Sequence, residues 1–199
     1  MKKFLLGLCI IALIVPACSD TMNMRKISIE PKISTDSVKK STARAGLLLN
    51  DEFTNYKYTF KTGTQIYLMA KVQGEIDVGK NLSQAIYGIV SNKFGNVVMG
   101  NNANDIRDID FYFVPRMKSF KYEPPYTGLS SHVTTVELET DVIGADGKLL
   151  RTISVKQEGT RSMFNQLKMQ TNYEMAAGSV NEAIDNVLQD FSQQLDKYY

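Results

Sequence analysis

A two-layer α+β fold, with a mostly antiparallel sheet and two helices packed on one face, is the fold class the sequence predicts. Three observations carry this. Stretches of alternating apolar and polar residues recur along the chain, the pattern of half-buried strands. Two other segments place their apolar residues at helical spacing. One sheet with both helices on the same face would bury both apolar stripes. The opposite sheet face would be more exposed, and is a natural place for a partner.

The elements follow in order. In "ISIEPKI", Ile27, Ile29, Pro31 and Ile33 share one face, which reads as a first or edge strand ending near the proline. Residues 34–44 are polar and read as a loop, and "AGLLL" (45–49) suits a buried strand. "YKYTFKTG" sets Tyr56, Tyr58 and Phe60 against Lys57, Thr59 and Lys61, and a further strand is expected over 64–74. Leu82, Ala85, Ile86, Ile89 and Val90 fall at helical spacing, with Gly95 available just past the end of that helix and "VVM" (97–99) a short strand behind it. Ile109, Phe111 and Phe113 alternate up to Pro115, which is expected to interrupt the strand; 121–128 reads as a turn-rich loop. Val136, Leu138, Thr140 and Val142 line one side of a long strand, "GADG" turns it back, and Leu149, Ile153 and Val155 line its return. Val180, Ile184, Val187, Leu188, Phe191 and Leu195 then form one helical stripe. Ser179 with Glu182 has the spacing of a capping box, and Thr171 with Glu174 offers an earlier start.

The N-terminus bears on location. Lys2 and Lys3 precede an apolar run from Phe4 to Val15, the pattern of a secretory signal. The run is too short to span a bilayer, which takes roughly 20 apolar residues. Val15-Pro16-Ala17-Cys18 resembles the lipobox of bacterial lipoproteins, in which the chain is cut before a cysteine that receives acyl chains; Pro16 departs from the usual small residue. An ordinary signal cut after Ala17 is the alternative. Of the two cysteines, Cys9 lies in the leader, so Cys18 would be a lone thiol in an exported chain unless it is lipidated. The organisation expected is therefore a leader over 1–17, a lipidated tether over 18–26 and one periplasmic domain over 27–199. By the same resemblance, Ser19 rather than aspartate after the cysteine implies the outer membrane, with the inner membrane as alternative.

Losing 17 of 199 residues leaves 182, enough for one domain with a sizeable core. The leader removes two of the 23 basic residues, leaving 21 against 21 acidic ones. That balance argues against a dedicated nucleic-acid binder. Basic residues concentrate between Arg25 and Arg44, and Lys32, Lys39 and Lys40 are candidates for contact with phosphates or lipid head groups; a solvated tether is the alternative.

The layout resembles the YajG-type lipoproteins and, more loosely, the lipopolysaccharide-assembly lipoprotein of the outer-membrane translocon. The resemblance rests on "ISIEPKI" soon after the cysteine, on "AGLLLNDEFTN", on a helix ending in "KFGNVV", and on the hairpin "VELETDVIGADGKLLRTISV" leading into a long terminal helix. It implies a fold more than an activity.

Chemistry is sparse. His132, in "LSSHV", is the single histidine; Ser131 would point to the opposite face of an extended chain, and no nucleophile elbow surrounds Ser130. One histidine and one lipidated cysteine make no zinc site. "NNANDIRDID" could align Asp108 and Asp110, but it lacks the glycine and closing glutamate of a calcium loop. No cofactor is expected beyond the acyl chains on Cys18. Phe120, Tyr122 and Tyr126 are candidates for partner contact on a proline-stiffened loop, the alternative being a loop folded back on its own domain. A non-enzymatic, lipid-anchored envelope protein that helps to scaffold or assemble a protein complex is the leading expectation. A lipid- or lipopolysaccharide-binding accessory comes second, and a cell-wall hydrolase third.

Overall fold

Alternation sets the main sheet. In the computed structural model, which describes residues 21–23, 26–32, 41–65, 70–127, 130–162 and 171–198, the strand β8 (His132–Gly144) buries every second residue along its whole length. Those residues include Val136, Leu138, Thr140 and Val142, as expected. β8 lies between β7 (Phe111–Glu123) and β9 (Leu149–Arg161), antiparallel to both. On the far side of β7 come β3 (Ser41–Leu48) and then β6 (Phe94–Gly100), each parallel to its neighbour. The order is thus β6-β3-β7-β8-β9.

Helices α2 (Gly79–Lys93) and α3 (Asn172–Tyr198) cover one face of this sheet. Both expected stripes point into the core: Leu82, Ala85, Ile86, Ile89 and Val90 from α2, and Val180, Ile184, Val187, Leu188, Phe191 and Leu195 from α3. Burying each large aliphatic side chain contributes about 1.5–3 kcal/mol, so these stripes bind the two layers. The α+β class is as predicted.

A second, smaller sheet goes beyond the sequence reading. β4 (Lys57–Gln65) pairs antiparallel with β5 (Ala70–Asp77), and the other edge of β5 takes the short parallel strands β1 (Thr21–Asn23) and β2 (Ile27–Ser28). A one-turn helix, α1 (Asp51–Thr54), leads from β3 to β4; the Asn50 side chain caps it by accepting from Phe53 N–H at 2.8 Å. The small sheet packs beside the helices on the same face, with Tyr58 against Phe120 at 5.1 Å between ring centroids and Phe60 against Tyr122 at 4.6 Å. β1 lies within the span expected to be a tether; the open edge of β5 gives that segment hydrogen-bonding partners. Ile27 and Ile29 are buried as read, whereas Ile33 lies outside the described residues.

Gly95 lies just past the end of α2, as expected: the helix stops at Lys93, Phe94 is already extended and the chain runs directly into β6. Three local expectations change. Pro115 does not stop β7, because β3 pairs only as far as Phe113 and the strand beyond it is bonded on one side, where proline is accommodated. Leu149 does not line the core. An extra residue, Leu150, enters β9 between the pairs Val142–Arg151 and Ile143–Leu149, and this bulge turns Leu149 to the opposite face. Finally, α3 takes the earlier of its two expected starts, and Ser179 does not cap it. Thr171 Oγ1 accepts from the Glu174 backbone N–H at 3.2 Å while the Glu174 carboxylate accepts from Thr171 N–H at 2.7 Å, a reciprocal capping box. Ser179 instead sits buried within the helix, 3.0 Å from Thr134 Oγ1.

Candidate functional site

The aromatic candidates separate. β7 continues through the segment expected to be a loop, and alternation carries Phe120 and Tyr122 into the core, where the rings of β4 cover them. They are packing residues and not the partner contacts expected of them. Tyr126 alone of the three stands out, 60% exposed. Its loop is fixed by a buried Pro125 and by Ser130, whose hydroxyl donates to Thr127 O and accepts from Thr127 N–H, both at 2.9 Å. That pairing also occupies the serine considered as a partner for His132.

His132 opens β8 and is buried. Its Nδ1 shares a 2.8 Å hydrogen bond with the Tyr122 hydroxyl. Burial pushes its pKa down from 6.5 to about 4, against a smaller upward pull from Asn172. The ring is therefore neutral at pH 7 and tied to the core.

Lys32 is exposed on the flank of α3, where its backbone N–H donates to the Asp185 carboxylate at 2.9 Å. Lys39, Lys40 and Cys18 lie outside the described residues. In the 101–110 segment, Asp108 adopts a left-handed conformation, φ 57°, and is exposed. The Asp110 carboxylate accepts the Arg44 backbone N–H at 2.7 Å, so it fastens this segment to β3. Beneath the segment, Leu48, Ile106 and Ile109 form a second small core on the helix-free face, with Tyr112 and Val114 packed against it.

The rest of that helix-free face is a charge ladder. Glu137, Glu139 and Asp141 stand at alternate positions on β8. Lys118 bridges Glu139 at 2.7 Å and Glu137 at 3.1 Å, and Arg116 reaches Asp141 at 2.7 Å. Thr152 donates to Asp141 from the other side at 2.7 Å. Hydrogen bonds to Glu139 and Glu137 raise the Lys118 pKa, and Lys118 holds Glu137 below the usual carboxylate range. Exposed pairs of this kind are worth at most about 1 kcal/mol each, but they leave the face internally neutralised. The open sheet face, a natural partner surface when read from sequence, thus has little unmatched charge to offer.

Exposed apolar area is found instead at the edge. β6 has β3 as its only strand neighbour among the described residues. Its sequence, FGNVVMG, contains no charge and no proline, and Val98 and Met99 are 39% and 53% exposed. Edge strands normally carry lysine, proline or a covering element that prevents further pairing. The sequence showed the strand, and its lack of charge was visible there. That it would lie at an edge was not.

Two clefts remain. One of about 150 Å³ is lined by Asn50, Phe53, Tyr56, Pro115, Arg116 and Met117, among others. The other, about 350 Å³, lies between the arm after β2 and α3, lined by Glu30, Lys32, Arg161, Asn181, Glu182 and Asp185, among others. Arg161 and Glu182 form an ion pair within it. Among the described residues, no three His, Cys, Asp or Glu side chains come together as a metal site, and no helix is long and apolar enough to cross a membrane.

No known family model and no curated protein matches the chain. Among solved structures it is similar to the protein XCC0632 from Xanthomonas campestris, of family DUF330, at 11% identity and a TM-score of 0.48 over 90% of this chain and 99% of that one. It is also similar to a minor lipoprotein from Acinetobacter baumannii, at 7% identity and a TM-score of 0.47 over 80% and 94%. The resemblance to YajG-type lipoproteins in particular is not confirmed by these structures.

Proposed function

We propose that this protein is a non-enzymatic, lipid-anchored envelope protein that binds a protein partner along β6. In this reading Cys18 carries the acyl chains, the domain faces the periplasm, and the outer membrane is its destination. The observation that carries the binding role is the uncharged open edge with Val98 and Met99 exposed. A partner strand laid along such an edge would gain main-chain hydrogen bonds, with the two apolar side chains supplying contact area.

The two rival readings find less support. A carrier of acyl chains needs a mostly apolar cavity, commonly about 300–1,000 Å³. Here the space between helices and sheet is filled by Leu82, Ile86, Phe113, Leu138, Ile184 and Phe191, and the larger cleft is lined by charged and amide side chains. A hydrolase built on His132 would need that ring within reach of substrate, and it lies buried against Tyr122.

Photo-crosslinking tests the proposal. A benzoylphenylalanine replacing Met99 in cells making the acylated protein is expected to give one discrete protein adduct, and the same probe at Lys118 none. Adducts with lipid alone at Met99, or equal adducts at both positions, would contradict it.

A further inference from the structure

The leader ends close to folded structure, and this restricts how an anchored molecule can stand. Cys18 precedes Thr21, the first residue of β1, by three positions. Three residues of fully extended chain reach about 10 Å. Thr21 pairs with Lys71, which in turn faces Thr64 of β4. β4 climbs past Phe120 and Tyr122 before reaching Thr64, so Thr21 stands beyond Tyr122. That is the end of the molecule where β7 finishes and where β8 and α3 begin. The β8–β9 turn lies at the opposite end of 13-residue strands, about 40 Å away. A leash of about 10 Å cannot bring that far end to the bilayer.

On this basis, which rests on the lipid-anchor reading above, we propose that the protein stands end-on, with Tyr126, Lys61 and Lys71 against the lipid head groups. Tyr126 is exposed on the loop that follows β7 at this end. Tyrosine favours the membrane–water boundary, where its ring meets apolar chains and its hydroxyl meets water. Lys61 and Lys71 alternate with the buried Phe60 and Val72, and so lie on the solvent face of the small sheet beside β1. Neither has a carboxylate within salt-bridge distance among the described residues, whereas Lys26, Lys57, Lys118, Lys121 and Lys156 are all paired. Unmatched ammonium groups suit anionic head groups.

The chain has no tryptophan, which makes a single-tryptophan probe clean. Acylated protein carrying Tyr126→Trp, and separately Leu149→Trp at the far turn, would be placed on phosphatidylethanolamine–phosphatidylglycerol vesicles whose acyl chains are brominated. On vesicles the Tyr126→Trp protein is expected to shift its emission to the blue and lose most of it, and the Leu149→Trp protein to behave as in solution. Adding Lys61→Glu and Lys71→Glu to the Tyr126→Trp protein should return part of its emission. If the protein floats with the vesicles by its lipid but the Tyr126→Trp emission is unchanged, or the Leu149→Trp emission is quenched, the orientation is overturned while the anchor stands. A blue shift of the Tyr126→Trp protein that depends on protein concentration without vesicles assigns the surface to a second copy and also overturns it. Protein that bears no acyl chain and remains soluble overturns both readings.

Discussion

His132 is held neutral by its burial, and folding therefore depends on pH through it. The unfolded chain takes up a proton near pH 6.5, whereas the native ring takes one only near pH 4. Stability is complete above about 6.5, falls as pH drops through the interval, and levels off below about 4. The whole effect is about 3 kcal/mol, from about 1.4 kcal/mol per pKa unit. Urea unfolding at pH 7 and pH 4.5 should show this loss, and His132→Gln, which cannot titrate, should show a smaller one. An equal loss in both proteins would mean that other groups carry the pH dependence. At this scale the sequence was only partly legible. Alternation placed Val136 to Val142 correctly because the partner strand repeats the same period. It failed at Leu149 and at Tyr122 because a bulge and a strand running past Pro115 are decided by neighbouring strands.

β9 passes close under α3 at Gly159. A Cβ placed on Gly159 would meet Ser179 O and the Ala183 backbone nitrogen, and neither backbone atom can move without shifting the helix. Gly159→Ala should therefore cost about 3 kcal/mol, at the upper end of ordinary overpacking. Gly95 lies on the exposed strand β6, where an added Cβ would find only Ser41 O at 3.6 Å. Gly95→Ala should stay within about 0.5 kcal/mol of the parent. Thermal melting distinguishes the two, and equal effects would contradict the packing described. Both helices were legible because their stripes are long and strictly periodic. The small sheet was not, since β1 and β2 are short and acquire their character from the β5 edge they join. The β6 edge was hidden for a related reason: strand order is a long-range property, and local sequence carries little trace of it.

At the scale of the molecule, a two-layer domain presents a neutralised sheet face on one side and an uncharged strand at one edge. Thr21, three residues after Cys18 in sequence, lies towards the end that holds Tyr126. Acylation would turn this arrangement into a fixed posture, with the edge strand held upright above the bilayer for a partner. The measurement that tests this most directly is the intact mass of the protein purified from bacterial membranes, with fragmentation of its N-terminal peptide. The expected product is a chain beginning at Cys18 and heavier than its sequence by two or three acyl chains. A chain beginning at that residue with a bare thiol and a free amino group would contradict it.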